Sequence, residues 1–313
     1  MWAFILRRVL ATIPVLAVVS IVVFSILHFA PGDPAAVIAG DQATPEQIQQ
    51  IRARLGLDRP IYEQYVIWLG NVFQGDLGTS IFSNLPVSRL FMQRLEPTVA
   101  LTITTSIITI LLAVPIGVLA AWKAGTWIDR SVMTFAVLGF SFPVFVVGYL
   151  LIYVFSIKLG LLPVQGYRPL ADGVWPFLRH LILPSLALGL SFMALIARIT
   201  RASMLEVLSQ DHIRTVRAKG MPPGNLLFSH ALPNAAVPIL TIIGVGVAIL
   251  LGGVVVTESV FAIPGLGRLV VDAILHRDYP VIQGVLLIFS AVYVMVNLTV
   301  DLLYVVIDPR IRY

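Results

Sequence analysis

The sequence predicts an all-α polytopic membrane protein with six transmembrane helices. Of its 313 residues, 58% are hydrophobic and only 12% are charged, whereas a soluble domain carries about 25% charged residues. Six apolar runs are long enough to cross roughly 30 Å of hydrocarbon. Because backbone polar groups in lipid must be satisfied within the segment, each run is predicted to be a helix. The predicted spans are 9–29, 98–121, 131–157, 181–199, 237–256 and 281–307.

Prolines predict local departures from straight helices. A proline inside a transmembrane helix is tolerated because neighbouring helices can satisfy the carbonyl that it frees. We therefore expect kinks at the four prolines inside the spans: Pro14, Pro115, Pro143 and Pro184.

The distribution of basic residues predicts the orientation in the bilayer. Six spans place both termini on one side, and the loops on that side carry more Lys and Arg than loops 158–180 and 257–280. By the positive-inside rule, both termini are predicted to be cytoplasmic. The net charge is only +5 and basic residues do not alternate with aromatic ones, which argues against a nucleic-acid partner. The chain has no cysteine, so disulfides, thiolate metal sites and cysteine nucleophiles are excluded.

The spans divide the chain into three parts. The cytoplasmic N-terminus and first span occupy residues 1–29, and an extracytoplasmic loop follows over 30–97. The core, 98–313, holds the other five spans and a cytoplasmic loop over 200–236.

The outer loop is predicted to be folded. Thr44 and Gln47 stand where the N-cap and N3 residues of a capping box belong, and Gly56 is placed to end that helix. Asp58 is then predicted to cap a second helix whose apolar side carries Tyr65, Trp68, Leu69 and Val72.

The inner loop is unusually long and contains a predicted short helix. Residues 210–219 have helical character, and Gly220 followed by Pro222-Pro223 stops them. A further helical stretch, 225–236, leads into the fifth span. A short helix on the membrane face, bounded by stop signals, suits docking into the groove of a partner.

This inner loop resembles the signature of ATP-binding-cassette importer permeases, in which Glu-Ala-Ala precedes a Gly and a later Ile-x-Leu-Pro. Gly220, Leu232 and Pro233 fall at its spacing, although Arg214-Thr215-Val216 replaces the first triplet and His230 replaces Ile. Residues 211–220 closely resemble the variant of the dipeptide/oligopeptide class, D-Y-x-R-T-A-R-A-K-G.

The resemblance extends along nearly the whole chain. Four further motifs look like this class and occur in its order: Pro31-Gly32-Asp33-Pro34, Gly75-Asp76-Leu77-Gly78, Phe261-x-x-Pro264-Gly265-Leu266-Gly267-Arg268 and Asp308-Pro309-x-Ile311-Arg312-Tyr313. The chain is thus identified as a member of the peptide class of importer permeases, with the type I permease architecture of a multi-pass bacterial inner-membrane protein.

The resemblance implies a set of partners. They are a second homologous permease forming a heterodimer, two cytoplasmic ATP-binding subunits and an extracytoplasmic solute-binding protein. The chain has no G-x-x-x-x-G-K-[ST] motif, so it should bind no cofactor itself, and ATP and Mg²⁺ belong to the partner subunits. No metal site and no catalytic residue is expected; the complete complex would be the peptide translocase.

The resemblance also implies a coupling helix that docks into an ATPase cleft. Basic residues would contact acidic groups there, while Ile213 and Val216 would supply apolar anchoring; the alternative is an ordinary basic loop near anionic headgroups. The predicted coupling residues are Asp211, Ile213, Arg214, Thr215, Arg217, Ala218, Lys219, Gly220, Leu232 and Pro233.

Polar residues within the spans provide candidates for the substrate pathway. Those that could contact a peptide backbone are Ser141, Ser191, Gln283 and Asn297. Hydrogen bonds between packed helices explain the serines equally well. Asp301, near the inner end of span six, is either paired with Arg198 or Arg201 or held near water at the interface.

Residues at the span ends and in span five have structural interpretations. His28 and Glu258, at outer span ends, are interpreted as interface residues in preference to groups that bind a peptide terminus. Close packing against the second permease is expected at four glycines of span five: Gly244, Gly246, Gly252 and Gly253.

The sequence fits two other classes of function less well. A membrane-embedded enzyme is disfavoured because H-E-x-x-H and G-x-S-x-G motifs are absent and the histidines are scattered. A secondary transporter or channel would not need the long inner loop. Within the importer family, di- and oligopeptides are the first expectation for the substrate, glutathione the second and nickel complexes the third.

Overall fold

The computed structural model describes residues 2–29, 33–39, 43–54 and 56–307; part of the Pro31-Gly32-Asp33-Pro34 motif and the motif that starts at Asp308 lie outside them. Within these ranges the chain is helical and has no named strand, only an isolated bridge between Thr79 and Pro86. The outer segment contains α1 Trp2–Phe29, α2 Pro34–Ala39, α3 Pro45–Arg54 and α4 Ile61–Phe73. The core contains α5 Val87–Trp122, α6 Trp127–Ser141, α7 Val144–Leu151, α8 Val174–Leu208, α9 Asp211–Ala218, α10 Pro223–Asn225, α11 Leu232–Asn234, α12 Ala236–Val260, α13 Leu266–Leu275 and α14 Tyr279–Ile307.

Among the residues that the structure describes, four single helices are long and apolar enough to cross a membrane, namely α1, α5, α8 and α14. Two of them, α5 with 36 residues and α8 with 35, are longer than the apolar runs that predicted them. At about 1.5 Å per residue they extend well beyond the hydrocarbon. The predicted start of α5 and both predicted ends of α8 were therefore wrong, because an apolar run marks the depth of the lipid and not the extent of the helix. The predicted boundary between residues 97 and 98 falls inside α5.

A bend interrupts the third predicted span, and another bend precedes the fifth predicted span, which lies within the continuous helix α12. Helix α6 meets the pair formed by α7 and the π-helix Ile152–Lys158 at 108°, and the segment Pro223–Asn234 meets α12 at 67°. The chain has up to six spans if each pair is counted as one. A continuous helix over 131–157 was predicted wrongly, because Pro143 has no N–H and holds the preceding Phe142 in an extended conformation. The prolines Pro14, Pro115 and Pro184 do lie inside continuous helices.

Helix α8 forms the centre of the bundle. Its most apolar stretch is 67% buried, against 17% for the corresponding stretch of α1. Small residues let its neighbour α5 approach closely: a Cβ on Gly117 would lie 2.6 Å from the backbone oxygen of Ala197 and from Thr200. Packing of small residues is the usual basis of close helix contacts in membranes. Helix α8 is thus the element on which α5, α6, α7 and α12 assemble.

The outer segment confirms the predicted capping box. The Thr44 N–H donates to the Gln47 side chain at 2.9 Å, and the Gln47 N–H donates to Thr44 Oγ1 at 3.4 Å. Gly56, with a φ of 68°, follows α3 as predicted. The second predicted cap was wrong, because α4 begins after Pro60, two residues beyond Asp58. Proline suits this site since its missing N–H would be unsatisfied at a helix start anyway.

The loop after α4 is anchored to the end of the core. The Asp278 carboxylate is buried; it accepts a hydrogen bond from Ser80 Oγ at 2.5 Å and one from the Ile81 N–H at 3.2 Å. Pro280 lies against Gly78. This loop therefore closes the outer end of the bundle between α5 and α14.

Candidate functional site

The short helix predicted over 210–219 is present as α9, between two turns. Gln210 is its N-cap, with extended backbone angles, and Lys219 is its C-cap. Gly220 has a φ of 81°, a left-handed conformation that costs a non-glycine residue about 1–2 kcal/mol. The prediction of a short helix over 210–219 stopped by Gly220 is confirmed.

One side of α9 is held against the permease core. Ile213 is fully buried and packs in a cluster with Met204 and Val207 of α8 and with Leu226 and Leu227 beyond α9. The expectation that Ile213 anchors a partner protein was wrong, because its side chain is already enclosed by its own chain. Ile213 instead fixes the orientation of α9.

The other side of α9 is polar and exposed. Asp211 and Arg214, with side chains 94% and 71% exposed, form an ion pair at 3.3 Å. Thr215 Oγ1 donates to the Asp211 carbonyl at 3.0 Å. The Arg217 guanidinium lies 5.6 Å from the centre of the Trp122 ring, at the end of α5. Ala218 and Lys219 complete this exposed edge.

The second half of the loop packs into the same cluster. It runs through α10, a π-helix over Leu226–Ala231 and α11. Leu232 is partly buried against the cluster, whereas Pro233 is exposed at the bend before α12. The predicted helical stretch over 225–236 that leads into the fifth span is confirmed, although the chain widens into a π-helix before Pro233 and turns at Ala235. The two signature regions thus share one apolar core.

That core also reaches three long helices. Val118 and Ala121 of α5, Met204 of α8 and Ile239 of α12 belong to the same cluster as Ile213. A close-packed interior transmits displacement, since it has low compressibility. A movement of α9 would therefore act on α5, α8 and α12 together.

An ion pair that the sequence did not predict lies near this cluster. The Arg201 guanidinium donates two hydrogen bonds to the Asp129 carboxylate, at 2.5 and 2.7 Å, and the Gly125 N–H donates a third at 3.0 Å. Asp129 is buried at the start of α6. Arg201 pairs with Asp129, and Arg198 lies over the Phe140 ring at 5.9 Å; the pairing of either arginine with Asp301 stays a prediction. The side chain of Asp301 is outside the described set.

The four candidates for the substrate pathway do not converge. Ser191 Oγ donates to the Gly139 carbonyl at 2.9 Å and joins α8 to α6. The Gln283 amide is buried and donates to the carbonyls of Val23 and Phe24 at 3.4 and 3.2 Å. The Ser191 contact is the hydrogen bond between packed helices that was the alternative for the serines. The buried Gln283 amide donates from α14 to two carbonyls of α1, and this contradicts a role for Gln283 in the pathway.

Ser141 and Asn297 are more open. Ser141 Oγ donates within its own helix at 3.0 Å, as does the Asn297 amide. Asn297 lines a cavity of about 800 Å³ between α1, α12 and α14, whose other walls are mostly apolar. Of the four candidates, Asn297 alone lines this cavity.

Comparison with known proteins decides the family. The family described as "Binding-protein-dependent transport system inner membrane component" matches residues 113–313, and the N-terminal part of such membrane components matches residues 1–113. The chain belongs to this family. It is an inner-membrane transport permease, as its resemblance to importer permeases predicted.

Individual relatives cover the whole permease. It is 54% identical over 313 residues to a probable peptide ABC transporter permease protein, y4tP, of Sinorhizobium fredii, covering 100% of both chains. It is 46% identical over 310 residues to the glutathione transport system permease protein GsiC of Escherichia coli K12, covering 99% of each chain.

Among solved structures, a chain of the inward-facing MetNI methionine ABC transporter matches with a TM-score of 0.59 and 18% identity, over 71% of the permease and 97% of that chain. This likeness concerns the fold and confirms the predicted all-α architecture of an ABC importer permease.

The outer end of the permease contains a carboxylate that sequence reasoning misjudged. Glu258 was interpreted as an interface residue, but it is fully buried. Its carboxylate accepts hydrogen bonds from Thr98 Oγ1 at 2.6 Å and from the Arg268 N–H at 3.0 Å, and the Leu266 N–H donates to Thr98 Oγ1 at 2.8 Å. Glu258 and Thr98 thus tie α12 and α5 to the start of α13.

The glycines that follow Glu258 explain the Pro-Gly-Leu-Gly motif of the permease. A Cβ on Gly265 would overlap the Glu258 carboxylate, and one on Gly267 would lie 2.6 Å from the backbone of Val255. The motif therefore provides space for the carboxylate. The sequence signal that could have revealed this buried carboxylate is the pair of motif glycines that follows an acidic residue at a helix end.

The glycines of span five serve two different contacts. Gly246 lies against Phe192 and Gly253 against Leu188, both on α8 of the same chain. The expectation that these two serve packing between permeases was wrong, since α8 already occupies their face. Gly252 has no heavy atom within 4 Å of its Cβ position and lines the cavity with Asn297.

Proposed function

We propose that this permease is one subunit of an ATP-driven importer for di- and oligopeptides across the bacterial inner membrane. Separate ATP-binding subunits would drive it through residues 211–220. The observation that carries this proposal is the division of α9 into two sides. Buried Ile213 joins α9 to the cluster of α5, α8 and α12, while Asp211, Arg214 and Arg217 lie on the exposed edge.

The chemistry of this edge suits an acidic cleft on an ATP-binding subunit. Arg214, Arg217 and Lys219 would supply the positive charge, and stacking on Trp122 restrains Arg217 before docking. Exposed ion pairs contribute about 0.2–1 kcal/mol each, so the edge would orient the contact more than strengthen it. Gly220, Leu232 and Pro233 would keep the two halves of the loop in register.

The remaining partners follow the same proposal. A second homologous permease would complete the translocation path as a heterodimer, and an extracytoplasmic solute-binding protein would deliver the peptide. ATP and Mg²⁺ would bind only to the two cytoplasmic subunits. With α9 facing those subunits, both termini of the permease would be cytoplasmic.

Cross-linking tests the docking contact directly. The chain has no cysteine, so Arg214→Cys provides a single attachment site on the exposed edge of α9. In native membranes we expect a short cross-linker with one thiol-reactive end and one photoreactive end to join it to an ATP-binding subunit. Gln50→Cys, exposed on α3, is the matched control and should capture none. If both variants give the same products, the docking proposal is wrong.

Two glycines allow a matched test of coupling. Gly220→Ala forces an alanine into a φ of 81°, whereas Gly224→Ala enters ordinary backbone, and neither has a heavy atom near its Cβ position. We expect Gly220→Ala to lower peptide uptake per ATP hydrolysed at unchanged membrane content. Gly224→Ala should transport normally, and equal uptake by the two variants would contradict the coupling role of Gly220.

Glutathione is a second candidate substrate, favoured by the relative named as a glutathione transport permease, which is 46% identical over 99% of each chain. The more similar relative, at 54%, is named as a peptide permease, and for this reason peptides rank first. Competition resolves the two: unlabelled dipeptide should reduce labelled dipeptide uptake, and glutathione should not. The reverse result would make glutathione the substrate while leaving the permease function intact.

A further inference from the structure

Helix α4, in the segment after the first span, has an unusual composition for a helix outside the membrane core. Its thirteen residues, IYEQYVIWLGNVF, include one charged side chain, Glu63, and none of them is buried. A helix of a soluble domain carries charge on its solvent side. Helix α4 instead exposes large apolar side chains.

The contacts of α4 place it beside the membrane-spanning part of α1. Tyr65 Oη lies 2.8 Å from Ser20 Oγ, and the rings of Tyr65 and Trp68 lie 5.3 and 5.7 Å from the Phe24 ring. His28 Nε2 lies 3.3 Å from Gln64 Oε1. Ser20 is nine residues before the end of α1, which corresponds to a depth of about 13 Å along the helix axis.

The exposed apolar residues of α4 form a stripe. Tyr62, Val66 and Phe73 are 69%, 65% and 83% exposed and recur at the i, i+4, i+11 spacing of one helix face. The polar residues Glu63 and Asn71 lie away from this stripe. The stripe is next to the face that carries Tyr65 and Trp68 against α1, and α1 itself exposes Ile21 and Val22 at the same depth.

We propose that α4 lies in the outer leaflet of the bilayer, with Tyr62, Val66 and Phe73 in contact with lipid chains. Depth, the shortage of charge and continuity with the exposed face of α1 favour lipid over a protein partner. Aromatic residues that combine an apolar ring with a polar atom concentrate at membrane interfaces. Tyr62, Tyr65 and Trp68 fit that position. Part of the segment 30–97, which was predicted to be extracytoplasmic, would then lie in the membrane.

Single-cysteine labelling tests this proposal in the assembled importer. Val66→Cys and Phe73→Cys would carry a small fluorophore in proteoliposomes that contain phospholipids with a nitroxide on the acyl chain. Val22→Cys on α1 is the control for lipid, and Gln50→Cys on α3 is the control for water. A membrane-impermeant maleimide applied from outside to whole cells measures access from water.

We expect nitroxide quenching at residues 66 and 73 to exceed that at residue 50 at least threefold and to approach that at residue 22. Maleimide labelling at residue 66 should be at least tenfold slower than at residue 50. Labelling as fast as at residue 50 would show a water-exposed helix and overturn the proposal. Slow maleimide labelling together with weak nitroxide quenching would show that a protein covers the helix, and this result would also overturn the proposal. Neither result depends on which substrate the importer carries.

Discussion

The two ends of the permease are fixed by different kinds of contact. At the inner end, α9 is held by the apolar side chain of Ile213. At the outer end, two buried carboxylates, Glu258 and Asp278, accept hydrogen bonds from residues far apart in the chain. Apolar contact is non-directional, whereas a hydrogen bond depends on distance and angle. Helix α9 can therefore shift against its apolar contacts, whereas the end that carries Glu258 and Asp278 keeps one register.

The largest expected effect is at Glu258. Glu258→Ala would leave Thr98 Oγ1 and the Arg268 N–H without their buried acceptor, and such losses cost about 3 kcal/mol or more. We expect the apparent Tm of the purified permease to fall by several degrees. Glu206→Ala, at an exposed glutamate of α8, should leave it unchanged. Equal apparent Tm values for the two variants would show that the hydrogen bonds of Glu258 do not stabilise the permease.

Ile213 tests the inner end. Ile213→Ala removes buried methyl groups, at a cost of about 2–5 kcal/mol where the site does not collapse. Because α9 is a peripheral helix, we expect local detachment and reduced uptake per ATP hydrolysed, with a smaller change in Tm than at Glu258. His212→Ala, the exposed neighbour, is the control. Unchanged uptake with Ile213→Ala would show that α9 needs no apolar anchor.

Gly265 sharpens the comparison at the outer end. Gly265→Ala would force the Glu258 carboxylate to move, and overpacking of this kind costs about 1–3 kcal/mol. Gly70→Ala in α4, where the Cβ position is open, is the matched control. We expect Gly265→Ala to lower the apparent Tm and Gly70→Ala to preserve it. A double variant with Glu258→Ala should show less than the sum of the two single effects.

The smallest expected effect concerns the partly exposed Arg201. A double-mutant cycle of Asp129→Asn and Arg201→Gln should give a coupling energy of about 1–2 kcal/mol, since the two hydrogen bonds are charge-assisted. Thermal unfolding of the four proteins measures it. A coupling energy near zero would mean that this ion pair does not stabilise the contact between α6 and α8.

Local patterns were sufficient for features that depend on a few consecutive residues. The Thr44 and Gln47 capping box and the stop at Gly220 were predicted correctly because each depends on hydrogen bonds or backbone angles within one turn. The apolar runs likewise located the membrane segments. The same runs could not locate the start of α5 or either end of α8, since lipid thickness and helix length are independent.

Features that depend on distant contacts could not be predicted. Asp129 and Arg201 are 72 residues apart, and Gln283 bonds to carbonyls about 260 residues away. Glu258 looked interfacial because it lies at the end of an apolar run, but α5 and α13 enclose it. The coupling segment was found by resemblance, and its internal anchor Ile213 became evident only from the packing.

The extended residue Phe142, before Pro143, interrupts the third span between two differently held halves. Helix α6 is joined to α8 through Asp129 and Arg201, whereas Gly148 on α7 lies against Phe261 at the outer end. A continuous helix through this position would transmit every tilt of one end of the bundle to the other end. With the interruption, backbone rotation at one residue lets α6 follow the end of the bundle that carries α9 while α7 stays with the end that carries Glu258.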